Sequence, residues 1–258
     1  MSYQIHHGDC LFVMQGLQAS SVDAIVTDPP YGLEFMGKDW DRGVPGEHFW
    51  REALRVAKPG TYLLAFGGSR TYHRLGTAIE DAGWEIRDTI MWLYGSGWAK
   101  SRNLDGDYDG WGSMLKPAHE PIVMARRPLQ GTLAANVGVF GTGAINVDGC
   151  RVGTAEDMDP NDFDDSRGRW PANVAHDGSE EVIALFPVTT SGKMLAGTQR
   201  ANRGGFTGAM PMVTANDTIG DTGSAARFFY CAKASKRDRE DGLDGFELRS
   251  ASKLSGGE

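Results

Sequence analysis

Short apolar runs alternate with amphipathic stretches over the first 125 residues of the chain. Residues 22–27 form a β-branched run that stops at the breaker Asp28-Pro29-Pro30, which predicts a buried strand that ends in a loop. Beyond this loop, apolar positions at helical spacing predict helices, and short uninterrupted apolar runs predict strands. The predicted helices cover residues 48–57 and 71–83, and the predicted strands cover residues 61–66, 86–94 and 120–125. Strands that alternate with helices favour an α/β fold.

The composition of the chain changes at residue 126. The range 126–222 is rich in Gly, Asn, Asp and Thr and contains few apolar runs, so we interpret it as a loop-rich insert. Residues 154–181 carry nine acidic residues against two arginines, whereas residues 190–240 carry eight basic residues against four acidic ones. We therefore predict one folded unit at 1–125, followed by an insert with an acidic and a basic part.

Two further segments follow the predicted insert. An aromatic-rich run at 225–232 predicts a return strand, which we place within residues 223–234. Residues 235–258 are polar, charged and rich in Gly and Ser, a composition that is typical of a mobile tail.

The charge balance and the cysteine count limit the classes of function. The 258 residues include 26 basic and 34 acidic ones, and the formal net charge of −8 excludes a uniformly cationic nucleic-acid binder but not a local basic face. The three cysteines are widely spaced and form no C-x-x-C pair, which suits a reducing compartment. The sequence begins without a cationic and apolar leader, and its apolar runs are far shorter than the roughly 20 residues of a membrane helix. We therefore predict a cytoplasmic protein without a membrane segment.

The strongest chemical signal is Asp28-Pro29-Pro30-Tyr31, directly after the strand predicted at 22–27. In an open α/β sheet, ligands bind beyond the carboxyl ends of the strands. The two prolines stiffen the loop and remove two backbone donors, which leaves carbonyl acceptors beside the Asp28 carboxylate. Together with the flat ring of Tyr31, these acceptors suit a planar base that carries an exocyclic amine. The alternative is a proline-rich strand exit with an aspartate on the surface.

The tetrapeptide D-P-P-Y after a strand resembles the catalytic signature of the DNA amino-methyltransferases, and the order of the motifs resembles their beta class. Members of this family methylate adenine N6 or cytosine N4 with S-adenosylmethionine. The resemblance covers about residues 3–237 and implies a Rossmann-like methyltransferase sheet. Beyond D-P-P-Y it rests on the segments IHHGDC (5–10), LRVAKPG (54–60), IRDTIMWLYGSGWAKS (86–101), KPAHEPIVMARRP (116–128), GTGAINVDGCRVG (141–153), GRWPANVAHDG (168–178) and SAARFFYCAKASK (224–236).

The resemblance implies a role for each residue of the tetrapeptide. The Asp28 carboxylate and the Pro29 carbonyl oxygen would accept hydrogen bonds from the target amine, and Pro30 would complete the rigid corner. Tyr31 would stack on a base that is flipped out of the duplex. Adenine N6 is favoured over cytosine N4, because the cytosine-specific members more often carry Ser at the position of Asp28.

The resemblance also implies a cofactor site. Asp9 and Cys10 match the position that contacts the adenine end of S-adenosylmethionine, and Asp28 would border the same cofactor. Two alternatives stay open for this segment, namely a turn after a short strand and, with less support, a metal site built from His6, His7 and Cys10.

Double-stranded DNA is the partner that the resemblance implies, and we expect the insert at 126–222 to recognise the target sequence. Five basic residues are candidates for contacts with DNA phosphates, although each can also be a solvated surface charge. They are Arg126, Arg127, Lys193, Arg200 and Arg203.

Family members continue past the segment that matches 224–236 with an H-P-T-x-K-P motif and a strand that reads roughly L-D-P-F-x-G-S-G-T. Neither motif occurs before Glu258. We therefore expect an incomplete sheet that binds S-adenosylmethionine weakly. Either the chain is a truncated or split gene product, or a second chain supplies the missing half. The alternatives are a catalytically incomplete DNA-binding remnant and, remotely, a nucleotide-binding oxidoreductase.

Overall fold

The structure, a computed structural model, describes residues 3–34, 37, 39–97, 101–153, 169–191 and 221–231. Its α-helices are α1 (Cys10–Gln15), α2 (Glu47–Val56), α3 (Tyr72–Asp81), α4 (Leu133–Phe140) and α5 (Glu180–Ile183). Its strands are β1 (Val22–Thr27), β2 (Ala57–Phe66), β3 (Glu85–Leu93), β4 (His119–Arg126), β5 (Val174–His176), β6 (Val188–Ser191), β7 (Asp221–Ser224) and β8 (Tyr230–Cys231). None of the helices in the described ranges is long and apolar enough to cross a membrane.

The main sheet has six strands in the order β1-β2-β4-β3-β5-β8, and β6 pairs with β7 separately. Strand β4 runs antiparallel to its neighbours β2 and β3, whereas the other neighbouring strands of this sheet are parallel. The predicted α/β fold is confirmed, and the two predicted helices and the strands after them correspond to α2, α3, β2, β3 and β4. The reversed direction of β4 brings its amino end to the edge where β1, β2 and β3 end.

The hydrophobic core lies where α2 and α3 pack on the sheet. Trp50 and Trp84 are both buried there, and the indole N–H of Trp84 donates a hydrogen bond to the carbonyl oxygen of Trp50 at 3.0 Å. Leu63 of β2 and Leu75 and Ile79 of α3 complete this cluster. Each fully buried aliphatic side chain of this kind contributes about 1.5–3 kcal/mol to folding. The cluster therefore provides a rigid base for the loops at the carboxyl ends of the strands.

The prediction that residues 22–27 form a buried strand is wrong in one respect. The strand exists, but β1 is the outermost strand of the sheet and, within the described residues, pairs only with β2. Ile25 packs against the core, whereas Val26 is 67% exposed. A β-branched run therefore predicted the strand correctly, but it could not indicate how many sides of the strand are covered.

The range interpreted as an insert contributes to the main fold through two described elements. In α4, the buried side chain of Asn136 donates hydrogen bonds to the carbonyl oxygens of Pro59 (3.0 Å) and Thr142 (2.8 Å). Gly60 has a φ of +81°, and a Cβ at this position would lie 2.5 Å from the Asn136 amide nitrogen. Strand β5 pairs with β3 in the main sheet. The first part of 126–222 is therefore anchored on β2, and the recognition role of this range stays a prediction.

The return strand predicted at 225–232 is wrong in its extent. Residues Ala225–Phe228 form a 3₁₀ helix, because the Ser224 hydroxyl accepts a hydrogen bond from the Ala226 N–H at 3.3 Å and starts a tight turn. Only Tyr230–Cys231 pairs with the sheet, as β8. The tail predicted at 235–258 lies outside the described residues.

Candidate active site

The candidate site lies at the edge of the sheet where β1, β2 and β3 end and β4 begins. Asp28 follows β1 directly and is exposed, whereas Pro29, Pro30 and Tyr31 are half-buried. Glu120 is the second residue of β4 and lies opposite Trp92 of β3. The antiparallel direction of β4 thus places a carboxyl group beside the tetrapeptide.

Tyr31 is held at its ring and at its backbone. The phenol O–H donates a hydrogen bond to Glu120 Oε2 at 3.3 Å, across 89 positions of sequence. The hydroxyl of Thr71, just before α3, donates a hydrogen bond to the carbonyl oxygen of Tyr31 at 2.5 Å. A Cβ at Gly68 would lie 3.3 Å from Cδ2 of the ring, so this glycine lets the ring pack closely against the loop after β2. The orientation of the ring is therefore set by several elements of the fold.

Asp41 shapes the loop directly after Tyr31. Its side chain is buried, and its two carboxylate oxygens accept hydrogen bonds from the N–H groups of Gly32 (2.8 Å) and Leu33 (3.2 Å). Gly32 has a φ of +66°, and a Cβ there would lie 3.0 Å from the backbone of Gly43. A buried carboxylate that accepts two backbone N–H groups fixes the turn that presents Tyr31. Neither Asp41 nor Glu120 was among the predicted site residues.

We expect the substitution Asp41→Ala to destabilise this loop. Two backbone N–H groups lose their acceptor, and a buried unsatisfied group costs about 1–3 kcal/mol. The free energy of unfolding, measured by chemical denaturation, should fall by at least that amount. The matched control is Asp39→Ala, because the Asp39 side chain is 83% exposed in the same turn and pairs with Arg42 on the surface. A surface change of this kind should stay within about 0.5 kcal/mol, and equal losses for both variants would contradict the role of Asp41.

The electrostatics of the site couple four side chains. Burial raises the pKa of Glu120, and the nearby Asp28 carboxylate raises it further, although the hydrogen bond from Tyr31 acts in the opposite direction. Burial, together with Asp28 and Glu120, raises the pKa of Tyr31 well above its ordinary value. Burial and Glu120 also raise the pKa of Tyr94. Both phenols are therefore protonated at neutral pH, and Tyr31 presents an uncharged ring that can donate a hydrogen bond.

The raised pKa of Glu120 has a consequence for stability. A carboxyl group whose pKa is raised in the folded state favours folding below its unfolded pKa, and this contribution is lost as the pH rises through the folded pKa. The charge on Glu120 therefore disfavours folding at neutral pH, and Glu120→Gln removes this effect. We expect the difference in Tm between Glu120→Gln and the wild type to be more positive at pH 7 than at pH 4, as measured by thermal unfolding. A difference that is equal at both pH values, or reversed, would contradict the assignment.

A family model described as a DNA methylase matches residues 22–135, which begin with β1, contain the tetrapeptide and Glu120, and end within α4. Residues 22–135 of the chain are therefore similar to a DNA methylase. The matched range includes every residue described above as a contact of Tyr31. The part of the chain that resembles a DNA methylase therefore contains the whole site around Tyr31.

Two curated relatives are Type II methyltransferases. M.HindIII of Haemophilus influenzae is 25% identical over 201 residues, which cover 55% of this chain and 64% of the relative. M.HpaI of Haemophilus parainfluenzae is 28% identical over 120 residues, which cover 42% of this chain and 37% of the relative. A solved structure, a candidate DNA modification methylase of Thermus thermophilus, is 20% identical with a TM-score of 0.35, and covers 51% of this chain and 56% of that one. The chain thus spans less than two thirds of the length of each of these proteins.

The predicted cofactor residues Asp9 and Cys10 lie at the start of a helix. Asp9 is the N-cap of α1, and its Oδ1 accepts hydrogen bonds from the N–H groups of Leu11 (2.9 Å) and Phe12 (3.2 Å). Cys10 is exposed. The turn that was left open as an alternative thus corresponds to a helix start, and the contact with the cofactor stays a prediction. The part of the chain that the structure describes contains no cluster of three or more His, Cys, Asp or Glu side chains arranged to hold a metal ion.

The structure does not bring Arg126 and Arg127 to the tetrapeptide. Arg126 is the last residue of β4 and Arg127 follows it. Arg126 pairs with Tyr62 of β2 and with Glu85, the first residue of β3, so both arginines lie at the opposite edge of the sheet. The side chain of Arg126 is 12% exposed and pairs with Glu85 at 2.7 Å. Arg127 donates hydrogen bonds to Ser20 and to the carbonyl oxygen of Ala57, and burial lowers its pKa. Both side chains thus have partners within the fold, and their contact with DNA phosphates stays a prediction. Lys193, Arg200 and Arg203 lie outside the described residues.

Proposed function

We propose that the chain is part of a DNA methyltransferase that transfers a methyl group from S-adenosylmethionine to the exocyclic amine of a base flipped out of the duplex. The observation that carries this proposal is the tetrapeptide at the carboxyl end of β1, with the Tyr31 ring fixed by Glu120. The match of residues 22–135 to the DNA methylase family supports it. The similarity to two Type II methyltransferases supports it further.

The chemistry of the amine explains why a carboxylate and a carbonyl are needed. The lone pair of an aromatic amine is delocalised into the ring, so the nitrogen is a weak nucleophile. The Asp28 carboxylate and the Pro29 carbonyl oxygen accept its two N–H groups and favour a pyramidal nitrogen whose lone pair points at the methyl group. When bound, S-adenosylmethionine supplies an electrophilic methyl group on a sulfonium. Catalysis is then a matter of position and electrostatics, without a covalent enzyme intermediate.

Tyr31 contributes binding energy for the flipped base. Extracting a base from the stack costs a few kcal/mol, and stacking on an aromatic side chain returns about 1–3 kcal/mol. The half-buried ring is fixed in one orientation before the base arrives, so less conformational freedom is lost on binding.

The exposed Asp28 carboxylate fits a site between cofactor and base, because it lies on the surface at the strand end. Asp9 and Cys10 are the other candidates to hold the adenine end of S-adenosylmethionine; Cys10 is exposed, and Oδ1 of Asp9 serves as the cap of α1. Adenine N6 is the favoured target, and cytosine N4 is the second candidate. Double-stranded DNA as substrate, target recognition by residues 126–222, a cytoplasmic location and a contribution from a second chain belong to the same proposal.

Calorimetric titration of the purified chain with S-adenosylmethionine tests the cofactor assignment. We expect saturable binding with an affinity lower than that of a complete cofactor site. S-adenosylhomocysteine should compete for the same site. Absence of binding at millimolar S-adenosylmethionine, both with and without DNA, would reject the cofactor and leave a DNA-binding function.

A further inference from the structure

We propose that Glu120 is a positioning residue that fixes the plane of the Tyr31 ring for the incoming base. This inference rests on the proposed function, in which Tyr31 stacks on that base. It adds a residue of β4, which lies two strands from β1 in the sheet, to the groups that hold Tyr31.

The sheet topology explains how Glu120 reaches the site. Strand β4 is inserted between β2 and β3 and runs in the opposite direction. Its second residue, Glu120, is paired with Trp92 near the carboxyl end of β3, so the backbone of Glu120 is held by the ladder. Its Oε2 accepts the phenol O–H of Tyr31 at 3.3 Å. An acceptor on a strand is a more rigid reference point than one on a loop.

The backbone around Tyr31 is held by groups other than Glu120. Thr71 binds the carbonyl oxygen of Tyr31, and Asp41 binds the next two backbone N–H groups. The contact with Glu120 is made by the end of the side chain, where it acts on the torsions that orient the ring. Loss of Glu120 should therefore release the ring while the loop stays in place.

A contribution to the stability of the fold does not explain why a glutamate stands at position 120. Burial and the neighbouring Asp28 carboxylate both disfavour its charged form. A partly buried carboxyl group with this environment is more consistent with a role in the site than with a role in holding the sheet together.

A double-mutant cycle with Tyr31→Phe and Glu120→Ala tests the inference through the rate of methyl transfer in a single turnover. Each single substitution should lower the rate by roughly tenfold, since each removes the same charge-assisted hydrogen bond. The double variant should be no slower than the slower single variant, because Glu120 acts only through the phenol. Glu120→Gln keeps an acceptor oxygen and should recover most of the rate. Independent, multiplicative losses in the double variant would overturn the inference.

The matched control is Glu85→Ala. Glu85 is also a glutamate on a strand of the same sheet, but it pairs with Arg126 at the opposite edge. Its substitution should leave the single-turnover rate within about twofold of the wild type, and its effect should be independent of Tyr31→Phe.

A second measurement reads the Tyr31 ring without reference to activity. Tetranitromethane nitrates the phenolate form of tyrosine, and the extent at each position is read by peptide mass spectrometry. Tyr31 should react more slowly than the exposed Tyr108, and Glu120→Ala should raise nitration of Tyr31 several-fold relative to Tyr108. Nitration of Tyr94 should rise as well, because Glu120 also raises the pKa of that phenol. An unchanged ratio between Tyr31 and Tyr108 would overturn the inference. If the wild type transfers no methyl group, the proposed function fails, whereas the nitration ratio still decides whether Glu120 controls the ring.

Discussion

Replacing Asp28 by alanine is expected to lower methyl transfer by about 10²- to 10³-fold, the loss typical of removing one preorganised polar contact from a transition state. In the proposed function the carboxylate accepts an N–H of the amine, and its loss would leave the Pro29 carbonyl as the other acceptor of the tetrapeptide. Asp28 is exposed and follows β1 rather than lying within it, so the fold should persist. The measurement is the single-turnover rate with labelled S-adenosylmethionine and duplex DNA, together with the Tm.

Asp23→Ala is the matched control for Asp28→Ala. Asp23 is an exposed aspartate of the same strand, and it pairs with Lys58 at 2.6 Å on the surface. Its substitution should change the rate by less than about twofold, since exposed ion pairs contribute little to stability. A rate for Asp28→Ala that is indistinguishable from that of Asp23→Ala would exclude Asp28 as the acceptor of the amine.

The second large effect concerns the Tyr31 ring. Tyr31→Ala should weaken binding of duplexes that carry a mismatched, easily extruded target base by about 5- to 150-fold, which corresponds to the 1–3 kcal/mol of one stacked base. Tyr31→Phe keeps the stacking face and should retain most of this affinity. The affinity is measured by fluorescence anisotropy at constant salt, because phosphate contacts make DNA affinity depend on ionic strength.

Tyr62→Phe is the control for Tyr31→Phe, because Tyr62 lies in β2 opposite Arg126, at the other edge of the sheet. Its affinity for the mismatched duplex should equal that of the wild type. If Tyr31→Ala binds this duplex with the same affinity as the wild type, and the two proteins have the same Tm, Tyr31 does not stack on the base.

The local pattern of the sequence predicted those parts of the fold that depend on neighbours in the chain. Helical spacing and apolar runs located α2, α3, β2, β3 and β4, and the prolines marked the loop at Asp28. Glu120 escaped prediction because its contact with Tyr31 spans 89 positions and depends on the reversed direction of β4. The motif that contains Glu120 was recognised, but its spacing gives no sign of which side chain meets the tetrapeptide.

Charges were the least predictable features. Arg126 and Arg127 were candidates for DNA contacts because the sequence shows two adjacent basic residues. It does not show that Glu85, 41 positions earlier, pairs with Arg126, or that the end of β4 lies at the edge opposite Asp28. Asp9 is different, since an aspartate directly before an apolar helix start is a local signal for an N-cap.

Identification of the nucleoside that receives the methyl group is the most direct test of the proposed function. The chain, in excess over DNA, is incubated with duplex DNA and S-adenosylmethionine that carries a trideuterated methyl group, and the digested nucleosides are analysed by mass spectrometry. We expect trideuterated N6-methyladenine, or N4-methylcytosine as the second candidate, and a yield reduced by at least about a hundredfold with Asp28→Ala. Label on carbon 5 of cytosine, no label in the DNA, or an equal yield from Asp28→Ala would contradict it.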